Sequence, residues 1–251
     1  MKPIKEIDFS QLSFETKRDL NFYIKDKFQD PAELTQNQIN EIKKVVKLLE
    51  DDFPRDYLIG NSEFYGRKFY VDQSVLIPRA ETEILIDVVK NLDLPDNSIL
   101  CDIGTGSGCI GITLALMNKS FIVFGVDISE NAIEVAKKNS LSNKENNFFL
   151  VQSNWASCFL ENSINCIVSN PPYIDKNDPH LEDLQHEPPL ALISESYGLQ
   201  AFEVISKQAK KLLKDGGFLL LEHGYDQSKQ LEQIINKNDL KLIKKVKDLS
   251  G

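Results

Sequence analysis

The chain has 251 residues with 29 basic and 38 acidic side chains, a formal net charge of -9. That length supports one large domain, or a domain of about 150–200 residues with a small appendage. The acidic balance, with Arg18, Arg55, Arg67 and Arg79 as the only four arginines, argues against a protein built to grip a phosphate backbone. No run approaches the ~18 apolar residues of a membrane span, and the first residues hold no signal-peptide stretch. A cytoplasmic protein with no membrane association is the expectation. Cys101, Cys109, Cys158 and Cys166 lie in or beside apolar runs without zinc-knuckle spacing, which predicts reduced, buried thiols and no metal site.

In chain order, the part up to Asp52 contains no glycine. Leu20, Phe22, Tyr23 and Phe28 suggest one helix. Ile39, Ile42, Val45, Val46, Leu48 and Leu49 form the stripe of a second, with Thr35 and Asn37 as candidate caps and Pro54 ending it. From Tyr57 to Pro78, aromatic and β-branched residues around Gly60-Asn61 and Gly66-Arg67 read as a hairpin. The expected division is a helical domain at 1–55, a hairpin connector at 56–78 and a main domain at 79–251. In that last part, helix and strand patterns alternate: a helix from Ile84 to Leu92, a strand over Ser98–Ile103, a helix over Ile110–Met117 and a strand over Phe121–Val126. Then come a helix over Ala132–Asn139, strands at Phe148–Val151 and Ile164–Val168, a helix over Phe202–Leu213, and a strand at Phe218–Leu221 after a Gly216-Gly217 turn. A helix near Leu231–Ile235 and a strand near Leu240–Val246 close the series. This is the pattern of an α/β, doubly wound, mostly parallel sheet.

The strand ending at Ile103 runs into Gly104-Thr105-Gly106-Ser107-Gly108 and then a helix. Alternate glycines let backbone approach a ligand closely, and the helix N-terminus offers free N–H groups. The G-x-G-x-G spacing fits a dinucleotide pyrophosphate poorly, and no P-loop lysine follows. Nineteen residues beyond Gly108, Asp127 ends the next strand, where a carboxylate can accept both ribose hydroxyls. The competing reading of Asp127 is a helix cap, a role Ser129 can also fill.

At the end of the Ile164–Val168 strand stand Asn170-Pro171-Pro172-Tyr173. In an open α/β sheet, ligands bind beyond the carboxyl ends of the strands near the switch point, so this turn should face the glycine loop. Asn170 offers an amide oxygen to a planar NH2, the stiff prolines position a carbonyl as second acceptor, and Tyr173 offers an aromatic wall. The bland alternative is an ordinary turn. Three signals in strand order weigh against it.

On these residues the chain resembles the class I, S-adenosylmethionine-dependent methyltransferases, and within them the HemK/PrmC family of release factor glutamine methyltransferases. The likeness covers nearly the whole chain. It includes Ile77-Pro78-Arg79-Ala80-Glu81-Thr82-Glu83, Asn154-Trp155, Glu187-Pro188-Pro189-Leu190-Ala191-Leu192 and Glu222-His223-Gly224-Tyr225-Asp226-Gln227. The resemblance implies a Rossmann-like, seven-stranded methyltransferase domain that uses S-adenosylmethionine, and an N-terminal helical domain that docks a release factor. It implies Gly104, Thr105, Gly106, Ser107 and Gly108 on the methionine part of the cofactor, Asp127 on its ribose, Trp155 near its adenine, Asn170 also at the cofactor, and Asn170, Pro171, Pro172 and Tyr173 as the catalytic turn on the substrate glutamine amide. Trp155 can equally be a core residue. Arg79, Glu81 and Glu83 are expected as pocket framework, and His180, His186 and His223 as loop residues with no proton-transfer role. Ala80, His186 and Gln200 depart from the family pattern. Relatives continue for a few residues past the position of Gly251, which implies a trimmed partner for the last strand.

The implied activity is methyl transfer to the glutamine of the Gly-Gly-Gln motif in peptide-chain release factors, by a monomer that does not bind DNA. A DNA amino-methyltransferase acting on adenine or cytosine shares the tetrapeptide, but the net charge of -9 disfavours it. Glutamine methylation of a ribosomal protein is another relative's activity, and a non-catalytic cofactor-binding or interaction module is the reading from a different class.

Overall fold

The computed structural model describes residues 12–28, 34–144 and 146–247. The chain forms two compact units, residues 1–61 and 62–251.

The first unit is a small bundle of α1 (Phe14–Lys27), α2 (Gln36–Glu50) and α3 (Arg55–Ile59). Helix α2 opens with a capping box, in which the Thr35 hydroxyl accepts from the Gln38 N–H while the Gln38 side chain accepts from the Thr35 N–H. Leu20, Tyr23 and Ile24 of α1 pack on Ile39, Ile42, Val45 and Leu49 of α2. Phe22, expected on the same face, is half exposed. Tyr57, Leu58 and Ile59 were expected to lead into a hairpin, but they form α3. Pro54 supplies its N-cap, and Gly60, at φ +77°, ends it in the left-handed conformation. Ile59 and Leu58 then join the bundle core.

The hairpin itself lies later, as β1 (Asn61–Phe64) and β2 (Arg67–Tyr70). Tyr65 and Gly66, both at positive φ, make its two-residue turn. Phe64 and Phe69 are fully buried in the core of the second unit, beside Ile86, Leu100 and Ile112.

That unit continues with α4 (Glu83–Lys90), β3 (Ile99–Ile103), α5 (Cys109–Met117), β4 (Ile122–Asp127), α6 (Glu130–Asn143), β5 (Phe148–Gln152) and β6 (Ile164–Ser169). The short turns α7 (Pro189–Leu192) and α8 (Glu195–Gly198), then α9 (Gln200–Leu212), β7 (Leu213–Leu221) and α10 (Ser228–Lys237), complete it. The sheet is parallel, in the order β5-β4-β3-β6-β7. One face buries Ile112, Leu114 and Val89 against Leu100 and Val123. The other buries Ile205, Ala209 and Leu212 against Cys101, Ile103 and Ile167. Strands covered on both faces need continuous apolar runs, and β3 and β6 have them.

Two expectations are corrected. Among the described residues the sheet has five strands, not seven, and 240–247 is irregular. Only Leu240 packs on the core. Beyond it only Leu242 is partly buried, and Ile243 and Val246 are exposed among Lys241, Lys244, Lys245 and Lys247, which leaves little apolar face to bury. The expected trimming falls at 248–251, outside the described residues. Cys101, Cys109 and Cys166 are buried free thiols as expected, whereas Cys158 is exposed. Among the described residues no His, Cys, Asp and Glu cluster could hold a metal, and no helix is long and apolar enough to cross a membrane.

Candidate functional site

From β3 the chain winds through α5 to β4 and through α6 to β5, then returns to the other side of β3 as β6. The carboxyl ends of β3 and β6 therefore flank the switch point, where open α/β sheets bind ligands. The sequence places the glycine loop after β3, Asp127 at the tip of β4 and the 170–173 turn after β6. The fold brings all three to that rim.

Backbone bonds hold the glycine loop. The N–H groups of Gly104 and Thr105 both donate to the Val126 carbonyl, at 2.8 and 2.9 Å. The Gly106 N–H donates to Asp127 Oδ2 at 2.9 Å, and the Ser129 N–H to Oδ1 at 3.0 Å. Asp127 therefore shapes the loop, while Ser129 caps α6 by accepting from the Ala132 N–H. Burial pushes the Asp127 carboxyl above its usual pKa, against the pull of these backbone donors. Gly104 and Gly106 adopt φ of +72° and +53°, and a Cβ added to either would meet nothing within 4 Å. The loop thus borders open space with bare backbone.

Two residues with no assigned role complete the cradle. Asp102, fully buried, accepts from the Thr105 hydroxyl at 2.6 Å and the Gly111 N–H at 3.0 Å, and its Oδ1 has no partner. Burial raises its pKa to about 7. Asn139 of α6 donates to the carbonyls of Ser107 and Tyr70, at 2.8 and 2.9 Å, and accepts from the Tyr70 N–H. One amide thereby ties the hairpin to the loop. A polar residue on an otherwise apolar helix face was the signal for it.

The 170–173 turn is held mainly by side chains. The Ser169 hydroxyl donates to the Ile103 carbonyl at 2.6 Å, fastening β6 to β3 just before each loop begins. Asn170 Nδ2 donates to Thr82 Oγ1 at 3.1 Å. The Tyr173 hydroxyl lies 3.5 Å from Glu222 Oε1, and burial, then the Glu222 charge, push its pKa up to about 12. Tyr173 therefore stays protonated. Its carbonyl accepts from Gln227 Nε2 at 2.8 Å, and Gln227 Oε1 accepts from the Gly224 N–H at 3.0 Å. Gly198, at φ +79°, lies so close that an added Cβ would be 2.2 Å from that carbonyl.

Around the rim, Arg79 pairs with buried Glu187, whose other oxygen accepts from the Ile77 N–H at 3.0 Å. Glu83 accepts from the Tyr65 N–H at 2.7 Å and serves the hairpin, and Glu81 is exposed. His180 bonds to Asp178 and His223 to the Gly224 carbonyl. Trp155, at φ +52°, is partly buried and packs on the core under β3 and β6. Thr82, Glu222, Gln227 and Asn139 are the supporting residues to which the sequence assigns no role. Glu222 and Gln227 do share the short polar run after β7 with the single turn that follows Gly224.

A parallel sheet with this switch point, a glycine cradle and an acidic strand tip defines the class of Rossmann-like methyltransferases. Comparison with known proteins agrees. The family model described as a methyltransferase domain matches residues 94–249. A methyltransferase structure from Pyrococcus furiosus superposes with a TM-score of 0.52 at 17% identity, over 69% of this chain and 79% of that one. The release factor glutamine methyltransferase of Coxiella burnetii is 34% identical over 220 residues, 87% of this chain and 79% of that protein. That of Neisseria gonorrhoeae is 40% identical over 202 residues, 79% of this chain and 73% of that protein. The chain belongs to the release factor glutamine methyltransferase family. It also matches the bifunctional methyltransferase of Rickettsia bellii at 38% identity, spanning only 42% of that longer protein.

Proposed function

We propose that this protein methylates the side-chain amide nitrogen of the glutamine in the Gly-Gly-Gln motif of peptide-chain release factors, with S-adenosylmethionine as the methyl source. One observation carries the reading: the Asn170 amide stands at the switch point with its NH2 engaged by Thr82, which leaves its oxygen as an acceptor for a substrate N–H. The cradle fits the cofactor, because open space borders Gly104 and Gly106 and the Asp127 carboxylate ends the neighbouring strand. Gly104, Thr105, Gly106, Ser107 and Gly108 would hold its methionine part, Asp127 its ribose, and the partly buried Trp155 would wall the adenine. When bound, S-adenosylmethionine supplies an electrophilic methyl group on a sulfonium.

The residues of the turn do the rest. An amide nitrogen is a poor nucleophile because its lone pair is delocalised. Asn170 Oδ1 and the Pro171 carbonyl accept both N–H groups of the substrate, orient the nitrogen toward the cradle and favour the positive charge it develops. Pro171 and Pro172 stiffen the backbone behind that carbonyl. Tyr173, kept neutral by burial, walls the amide plane. His180 is held by Asp178 and His223 by the Gly224 carbonyl, and the proton leaves to water after transfer.

A polypeptide substrate is supported by exposed apolar residues on the loops that floor the Tyr173 carbonyl, Tyr197 at 84% and Tyr225 at 96% exposure. The net charge of -9 works against DNA. We place the protein in the cytoplasm as a monomer, with the helical unit of residues 1–61 as the release-factor-docking part and residues 62–251, hairpin included, as the catalytic part.

The test is radiolabelled methyl transfer offered to release factor, to release factor with its Gly-Gly-Gln glutamine replaced, and to duplex DNA. Label is expected in the first alone. Label in DNA, or label persisting without that glutamine, would overturn the reading. Asn170→Ala should lower transfer by about 10²–10³-fold.

A further inference from the structure

Asn139 of α6 is 1% exposed, and the oxygen and both hydrogens of its side-chain amide are in use. Its Oδ1 accepts from the Tyr70 N–H at 2.6 Å, while Nδ2 donates to the Tyr70 carbonyl at 2.9 Å and to the Ser107 carbonyl at 2.8 Å. Toward Tyr70, the last residue of β2, the amide acts as a neighbouring strand would, pairing with both backbone groups of one residue. Its neighbour Lys138 sets an ammonium 3.0 Å from the centre of the Tyr70 ring. One turn earlier Ala136 closes on the glycine loop, where a Cβ added at Gly108 would lie 3.2 Å from it. Helix α6 therefore grips the end of the hairpin and the end of the loop together.

These bonds single out one peptide of the loop. The Gly106 N–H is taken by Asp127, the Ser107 carbonyl by Asn139 and the Gly108 N–H by the Thr105 carbonyl. Between them, the Gly106 carbonyl and the Ser107 N–H make no hydrogen bond among the described residues. That peptide begins at a glycine whose added Cβ would meet nothing within 4 Å. It is the part of the loop left for a ligand, with Asp127 fixing one side and Asn139 the other.

We propose that Asn139 is a positioning residue for the cofactor, which holds the Gly106–Ser107 peptide in its ligand-facing orientation only while Tyr70 is docked on α6. The hairpin is then a working part of the cofactor site and not a connector. This rests on the placement of the cofactor at the glycine loop, and it is independent of which substrate receives the methyl group. A primary amide carries donors at one end and an acceptor at the other. Reversed, Asn139 would set NH2 against the Tyr70 N–H and its oxygen against two carbonyls, so one orientation satisfies both partners. Releasing Tyr70 leaves a buried amide short of two of its three bonds, and the tie to Ser107 loosens with them. Linkage is reciprocal, so a ligand that binds the ordered loop holds Tyr70 more firmly on α6.

Hydrogen exchange on the full chain, followed by NMR with and without S-adenosylhomocysteine, reads the link in the native protein. The Tyr70 N–H should exchange about tenfold more slowly with the ligand bound, beyond any slowing at Ile205 of α9, which is buried in a different core and reports general stabilisation. Calorimetry should find S-adenosylhomocysteine bound about tenfold to a hundredfold more weakly by Asn139→Ala. Two further variants separate coupling from mere loosening. Phe64→Leu trims a fully buried ring of the hairpin, and Phe202→Leu an equally buried ring of α9. The first should weaken S-adenosylhomocysteine about threefold and the second should not. That pair decides the matter if Asn139→Ala fails to fold, and equal affinities in the two would overturn the proposal. Equal slowing at Tyr70 and Ile205, or native affinity in Asn139→Ala, would overturn it as well. If Gly106→Val loses affinity while Asn139→Ala keeps it, the proposal falls and the cofactor placement stands; if neither loses affinity, both fall.

Discussion

The two loops at the switch point are built in opposite ways. The glycine loop after β3 is backbone held mostly by backbone, by the carboxylates at the ends of β3 and β4, Asp102 and Asp127, and by the Asn139 amide. The 170–173 turn after β6 is held by side chains of Thr82, Glu222 and Gln227, with Gly198 packed close against its Tyr173 carbonyl. A group common to many reactions can be cradled by peptide N–H groups and open space, which any sequence with the right glycines supplies. A substrate amide must be told from its carboxylate isostere, which requires donors and acceptors of fixed orientation, and those need support from remote segments.

Perturbing the two loops in turn should expose this asymmetry. The largest effect belongs to the glycine side. Burial pushes the Asp102 carboxyl up to about 7 from its ordinary 3.8, so the folded state holds its proton more tightly. Its contribution is full below about pH 4 and is lost as pH rises toward 7, by up to about 4 kcal/mol. Chemical denaturation from pH 4 to 8 should show this slope, and Asp102→Asn should remove that part of it. Next, Gly106→Val forces a branched side chain onto φ +53° and into the cradle. Calorimetry should find S-adenosylmethionine affinity reduced about a hundredfold, with the 170–173 turn intact. Asp127→Asn sets an NH2 against the Gly106 or Ser129 N–H and should weaken cofactor binding about tenfold. The smallest change tests the other loop. Gln227→Leu leaves the Tyr173 carbonyl without its donor, and kcat should fall about threefold to tenfold while cofactor affinity stays level.

What the sequence could and could not announce follows the same division. Gly104 to Gly108, Asp127 and Asn170 to Tyr173 sit at strand ends, so periodicity and spacing were enough to bring them to one rim. Thr82 and Glu222 stood only inside stretches that carry the family likeness, with no role of their own. The meeting of Thr82 with Asn170 and of Glu222 with Tyr173 depends on pairings across the chain, Ser169 against Leu221 above all, which no local pattern encodes. The α3 segment misled for a related reason. Tyr57, Leu58 and Ile59 carry strand-forming side chains, but Pro54 and Gly60 punctuate a single helical turn whose apolar face the bundle core accepts. At 240–247, branched residues suggested a strand, and the interspersed lysines left little to bury.

Ser169 has a consequence for how this protein loses activity. Its hydroxyl reaches the last residue of β3 and its carbonyl receives the N–H of Glu222, so one residue is the common surveying point for both loops. Methyl source and methyl acceptor are measured from the same peg. Heating should then abolish cofactor retention and turnover together, in one cooperative step, because neither half of the rim keeps its alignment once that peg is pulled.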